Sequence, residues 1–195
     1  MSQTAKAELF HKLHQGPEVL VLANVWDAAS AAVVADAGAK AIATSSAAVA
    51  WSHGQADGDI LPVAKTCAMV SEVVAVTDLP VSTDFEGGFT DDLGELADNI
   101  TRVIEAGAVG INFEDGARDP DLHARKIEAA RAAADRAGVN LFINARTDVY
   151  LRRLAEGEAA EAEAIRRGRL YAGAGASGVF APGAADAELI RRLAG

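Results

Sequence analysis

One phrase recurs along this chain and limits what it can fold into. Four helix-like stretches end on nearly the same residues and then turn apolar. They read Asp36-Ala37-Gly38-Ala39 before AIATSS, Glu105-Ala106-Gly107-Ala108 before VGINFED, Arg136-Ala137-Gly138-Val139 before LFINARTD, and Gly173-Ala174-Gly175-Ala176 before GVFAPG. A glycine just past a helix supplies the left-handed cap, and a short apolar run after it begins a strand. The repeated unit is therefore strand plus helix. Gly107, Gly138 and Gly175 are 31 and 37 residues apart, one unit each, and the 69 residues from Gly38 to Gly107 hold two.

The spacing predicts a first helix over 4–14, then strands at 19–23, 41–44, 81–83, 110–113, 141–145 and 178–181. Asp27 is placed to cap the helix that begins near Ala28. Asp92 with Glu95 three residues on resembles a capping box. Residues 45–61 read as a long loop, and 154–169 as a solvated, mixed-charge helix. The strands read as apolar on both alternations, as in a parallel sheet covered on both faces. Half of the chain is hydrophobic and its 195 residues suit one domain, 1–195.

Two architectures use repeated βα units, the closed barrel and the open doubly wound sheet. No GxGxxG follows the first strand, so a dinucleotide fold has no support. Polar residues gather instead at the C-terminal ends of different strands: Asn24 and Asp27, Ser45 and Ser46, Asp84 and Glu86, Glu114 and Asp115, Arg146 and Asp148. In a (β/α)8 barrel these ends share one mouth, where chemistry is sited. The expectation is an α/β chain of (β/α)8 TIM-barrel type, C-terminally short, with about six βα units.

Net charge is −10 without a basic stripe, which excludes a nucleic-acid binder. No apolar run approaches the roughly 20 residues that span a bilayer. Cys67 is the only cysteine, so no intrachain disulfide forms, and the polar N-terminus lacks a signal-peptide pattern; a cytoplasmic compartment is the expectation.

The motifs NVWDAASA, ATSS, HGQADGD, PVSTDFEGGF, GINFED and NARTDVYL, in this order, resemble the isocitrate lyase / phosphoenolpyruvate mutase superfamily over roughly residues 15–185. The resemblance implies a (β/α)8 barrel that binds Mg²⁺, with Mn²⁺ as a substitute, and a small carboxylate substrate. It implies cleavage or formation of a C–C or P–C bond beside a 2-oxo group. By position, Asp57, Asp84, Glu86 and Glu114 match the acidic residues that hold the metal, directly or through water. Ser45, Ser46 and Ala47 match the segment that grips the substrate carboxylate. Trp26 and Asp27 match the mouth of the first strand, and Arg146 matches the arginine that steadies substrate charge. Arg146, Glu114 and Asp57 are the catalytic candidates. The resemblance also implies a homo-oligomer, a dimer or tetramer.

Each assignment has a plainer counterpart. Asp84 can cap a helix, Glu86 can be solvated, Ser45 can start a helix, and Arg146 can pair internally with Glu114 or Asp148. One departure stands out. The Lys-Lys-Cys-Gly-His-like gating loop of the lyases and the phosphomutase has no counterpart here, because Asp115-Gly116-Ala117-Arg118-Asp119-Pro120 runs straight into a helix. This disfavours the isocitrate and methylisocitrate lyase reactions that use that cysteine. The expected function is a Mg-dependent C–C lyase or decarboxylase of a 2-oxo acid or substituted malate, acting through an enolate. The alternatives are a P–C mutase or hydrolase of the same superfamily, or a non-catalytic barrel serving as a binding module.

Overall fold

A computed structural model describes residues 1–194. Six strands form one parallel sheet in sequence order: β1 (Ala23–Val25), β2 (Ile42–Thr44), β3 (Val81–Asp84), β4 (Gly110–Glu114), β5 (Phe142–Arg146) and β6 (Gly178–Phe180). Every strand is parallel to its sequence neighbour. The helices are α1 (Gln3–His14), α2 (Ala28–Asp36), α3 (Ser46–Ser52), α4 (Val63–Ala75), α5 (Leu93–Glu105), α6 (Pro120–Ala137), α7 (Gly157–Gly173) and α8 (Ala187–Ala194). Among the described residues β1 and β6 do not pair with each other, so the sheet is not closed. No described helix is long and apolar enough to cross a membrane.

The recurrent glycines act as read. Gly38, Gly107, Gly138 and Gly175 all have positive φ and reverse the chain from a helix towards the next strand. Asp92 caps α5 by accepting from the Glu95 amide, and the α5 face of Leu96, Ile100, Val103 and Ile104 is buried. That helix packs on the outward side of β3 and β4, beside Ile111 and Phe113 in the same core.

The other face of the sheet corrects the expectation of apolar alternation on both sides. Strand register places Ser82 beside Gly110 and Phe142, then Asp84 beside Asn112 and Asn144, then Glu114 beside Arg146. Alternation puts these on the face opposite Ile111, Phe113, Ile143 and Ala145. The first row is closed from below by α1, whose Phe10 ring packs edge-on against Phe142 at 5.3 Å and fills the space that a Gly110 side chain would occupy. The second and third rows are polar. The sheet therefore has an apolar floor and a polar rim on its inner face.

Three boundaries differ from the sequence reading. Strand β1 begins at Ala23, not Val19. Only from Ala23 does it have a partner, Ile42, while Val19 and Val21 are exposed beside an edge with nothing paired to it. Residues 45–61 are not all loop, because Ser45 caps α3 through the Ala48 amide at 3.3 Å. Helix α7 is not simply solvated, since Ala160, Ala164, Arg167 and Tyr171 are buried. Two cavities, of about 640 Å³ and 560 Å³, lie at the two sheet edges, away from the polar rim.

Candidate active site

The rim is built by strand ends. Asp84 closes β3, and both of its oxygens are engaged. Oδ2 accepts from the Ser46 amide at 3.1 Å and the Ser46 hydroxyl at 2.7 Å. Oδ1 accepts from Asn112 Nδ2 at 3.2 Å, and Asn112 Oδ1 in turn accepts from Asn144 Nδ2 at 3.1 Å. This row crosses three strands and fixes the Asp84 rotamer. Thr44 supports it from β2, accepting from the Asp84 amide at 2.9 Å.

Glu114 closes β4 and Arg146 closes β5, as direct neighbours. Arg146 Nη1 meets Glu114 Oε2 at 2.8 Å, and Arg146 Nε donates to Asp148 Oδ1 at 2.7 Å. Both internal pairings anticipated for Arg146 are thus present. Glu114 Oε1 has no hydrogen-bond partner among the described residues. Burial pushes the Glu114 carboxyl up to about 7. Arg146 pulls it down, and the nearby Asp148, Asp84 and Asp59 push it up again. A half-protonated carboxyl near neutral pH, with one oxygen open, can take up or give a proton.

Glu86 does not join Asp84 on one side. Strand geometry stops at Asp84, and Glu86 has φ +50°, so strand alternation no longer holds. Its buried carboxylate turns to the 54–61 loop, where Oε2 accepts from the Gly58 amide at 2.8 Å and from the Asp59 amide. The loop answers in kind. Asp59 Oδ1 accepts from the Gly87 and Phe89 amides, each at 3.0 Å. Asp59, not Asp57, is the inward carboxylate; Asp57 is exposed. Burial raises the Glu86 pKa, with Asp59 and Asp57 adding to the rise against the two backbone bonds.

Glu86 and Asp57 are thus placed apart from the strand-end pair, Glu86 on the Gly58 and Asp59 amides and Asp57 in solvent. Among the described residues no group of three His, Cys, Asp or Glu side chains surrounds one ion position. What remains is Asp84 and Glu114 on adjacent strands, mutually repelling and backed by Asn112 and Asn144. This all-oxygen set still fits a hard dication. Mg²⁺ takes one or two carboxylates and keeps several waters, and it would relieve the charge that lifts Glu114.

The remaining candidates serve locally. Asp27 caps α2 with its side chain on Ser30, whose bonds hold it below the usual carboxylate range. Trp26 is partly exposed beside it. Ser45 caps α3 through its hydroxyl, and both the amide and the hydroxyl of Ser46 donate to Asp84; of the backbone donors in that turn the Ala47 N–H is left open among the described residues.

Several supporting residues escaped the sequence reading. Asn112 and Asn144 were legible in principle, each two residues before the charged strand end in GINFE and FINAR. Lys126 was not. Fully buried on α6, its ammonium donates to the Gly87 carbonyl at 2.6 Å and to Asp91 at 2.7 Å. Asp115 reads in the sequence as a mere neighbour of Glu114, yet it is the buried anchor of α7. It accepts from Arg167 at 2.8 Å, Tyr171 at 2.6 Å and the Asp148 amide at 2.9 Å.

Comparison with known proteins accords with this geometry. A family model described as phosphoenolpyruvate phosphomutase matches residues 10–195. An uncharacterized protein of Mycobacterium tuberculosis is 36% identical over 94% of this chain and 70% of its own length. The 2-methylisocitrate lyase of Bacillus subtilis is 32% identical over 96% of this chain and 62% of its own length. A Burkholderia cenocepacia crystal structure, named only provisionally as a phosphonomutase, superposes with a TM-score of 0.93 at 44% identity, covering 98% of this chain and 79% of that one.

Proposed function

The chain belongs to the phosphoenolpyruvate mutase family of the isocitrate lyase superfamily, and from that premise we propose that it is a Mg²⁺-dependent lyase acting on a small 2-oxo acid or substituted malate. The observation that carries this reading is the Asp84–Glu114–Arg146 rim, where Glu114 titrates near neutrality with one oxygen open. A phosphonopyruvate hydrolase of the same fold was crystallised with oxalate and Mg²⁺, which supports a metal and a small carboxylate at such a rim.

Asp84 and Glu114 would hold the cation, with the Asn112–Asn144 row keeping Asp84 in place. When bound, Mg²⁺ would supply Lewis-acid stabilisation of negative charge on the substrate's C2 oxygen, which develops as a 2-oxo acid is decarboxylated and which must be present before a malate undergoes retro-aldol cleavage. Arg146 adds a fixed guanidinium to the same side of the site. Its Nη2 carries no hydrogen bond to the described residues, and Asp148 prevents the side chain from swinging away. Glu114 moves the proton. In its carboxylate form, which a bound cation would favour, it accepts the proton of a substrate hydroxyl, as retro-aldol cleavage of a malate requires, and in the reverse direction its acid form returns it. The Ala47 N–H offers a donor for the substrate carboxylate. The loop of Gly58 and Asp59 is clasped to Glu86 and Gly87, just past the end of β3.

The test is release of a 2-oxo acid from oxaloacetate and from 2-alkylmalates, measured with and without Mg²⁺. The expected result is metal-dependent turnover that Glu114→Ala abolishes while Asp57→Ala leaves most of it. Turnover of none of these acids, together with no binding of Mg²⁺, refutes the lyase reading. Turnover of phosphonopyruvate alone moves the assignment to the P–C branch of the superfamily.

A further inference from the structure

The ladder between β4 and β5 ends at Glu114 beside Arg146, and the next residue continues it by other means. The Asp115 amide donates to the Arg146 carbonyl at 3.1 Å, as the following rung of a parallel pair should. The matching acceptor for the Asp148 amide would be the Asp115 carbonyl. The Asp115 side chain takes its place: Gly116 turns the chain away at φ +56°, and Oδ1 accepts from that amide at 2.9 Å. Asp115 thus grips β5 on both sides of Thr147, directly past Arg146. Its other oxygen leaves the sheet for α7. There Oδ2 accepts from Arg167 Nη1 at 2.8 Å and from the Tyr171 hydroxyl at 2.6 Å. Arg167 is itself aimed by Glu163, one turn earlier on α7, which accepts from its Nε at 2.7 Å. Asp115 and Asp148 are both fully buried, and Asp148 Oδ1 is the acceptor that fixes Arg146 Nε.

We propose that Tyr171 and Arg167 are positioning residues for Arg146: α7 holds Asp115, Asp115 holds the Asp148 backbone, and Asp148 sets the angle at which the Arg146 guanidinium meets the rim. This rests on the functional reading above, which gives Arg146 the task of steadying substrate charge. Neither α7 residue bonds to Asp84, Glu114 or Arg146 among the described residues, so their effect passes through the two buried carboxylates. The chemistry of the junction requires an acid at 115. An amide there could keep the bond from the Asp148 N–H, but it would turn an NH₂ towards two further donors, Arg167 and Tyr171. A carboxylate accepts from all three, which accounts for a fully buried Asp at this place. A guanidinium held in advance needs no reorganisation as charge develops beside it, so a shift of its anchor is felt in turnover more than in binding.

The experiment is hydrogen exchange followed by NMR in the full chain with Mg²⁺ present. The reporters are the Asp148 amide and the Arg146 Nε–H. The Val109 amide, which donates to the Val81 carbonyl at 2.9 Å in the middle of the sheet, measures global opening. Tyr171→Phe removes the hydroxyl and keeps the ring that meets His123 edge-on at 4.8 Å, so this variant folds. It is expected to speed exchange at both reporters roughly tenfold more than at Val109, the ratio for loss of one net hydrogen bond. Arg167→Gln is expected to do the same, with Arg167→Lys recovering part of the change; if Arg167→Gln does not fold, Tyr171→Phe decides alone. Equal acceleration at all three positions, acceleration at none, or acceleration at Asp148 without Arg146 makes α7 a stabilising element only and overturns the proposal. For an acid that turns over in the assay above, Tyr171→Phe is expected to lower kcat about tenfold and to change KM less than about twofold, and a change confined to KM overturns the proposal as well. Turnover of no acid removes the lyase reading, and the exchange rates then still decide whether α7 positions Arg146.

Discussion

Replacing Glu114 by Gln tests the chemistry of the rim through stability alone. The Glu114 carboxyl titrates near 7 in the folded protein and near 4.5 when unfolded, because burial outweighs the pull of Arg146. A folded-state pKa above the unfolded value means the native state holds the proton more tightly. Below about pH 4.5 the group is neutral in both states and imposes no penalty. Between about 4.5 and 7 the unfolded chain ionises first and stability falls. Above 7 the full penalty remains, about 3 kcal/mol for a gap of this size. That figure is already net of the Arg146 attraction, and Arg146 retains Asp148 as a partner in the variant. Urea unfolding of both proteins, without divalent metal, measures it across pH 4–8. Relative to wild type, Glu114→Gln is expected to gain about 3 kcal/mol between pH 4 and pH 8, with the change centred between the two pKa values. Mg²⁺ at pH 8 is expected to stabilise wild type more than the variant, since a ligand stabilises only the state that binds it. A wild-type-to-variant difference that stays flat with pH would refute the raised pKa, and with it the assignment of proton transfer to Glu114.

Two further substitutions probe the frame behind the rim. Lys126→Met removes the donor to the Gly87 carbonyl and is expected to cost about 1–3 kcal/mol in denaturant unfolding. It should also speed backbone exchange at Gly87 and Gly88, whereas a midpoint unchanged from wild type would mean that the buried ammonium contributes nothing. Gly88→Ala meets two obstacles: φ of +86°, and a Cβ that would stand 2.5 Å from Leu96 Cδ1 and 2.9 Å from Phe113 Cε2. A loss of about 2 kcal/mol or more is expected, visible as a lower thermal midpoint; an unshifted midpoint would mean that α5 yields freely.

The course of the chain was largely legible because it depends on local chemistry. A glycine after each helix, a short apolar run, and charged residues just beyond it follow from capping, burial and solvation within a few residues of each other. That fixed the parallel βα order, and the ordered motifs fixed the family. The strand-end positions of Asp84, Glu114 and Arg146 came with it. The first strand was misplaced because Val19 and Val21 have strand-like side chains, and only the absence of a neighbour leaves them outside the sheet.

What the sequence alone determined, then, is which residues arrive at the rim. Where their side chains turn was decided by tertiary structure. Asp84 and Glu86 are two apart and invite a common direction, but a left-handed backbone at Glu86 and a pair of amides from a loop 27 and 28 residues earlier draw it away. Asp57 and Asp59 are alike in sequence, and only Asp59 meets the amides of Gly87 and Phe89. The Glu114 pKa likewise comes from neighbours on other strands and from the loss of water around it. A carboxylate's role depends on the donors and charges that fold against it, and these come from residues distant in the chain.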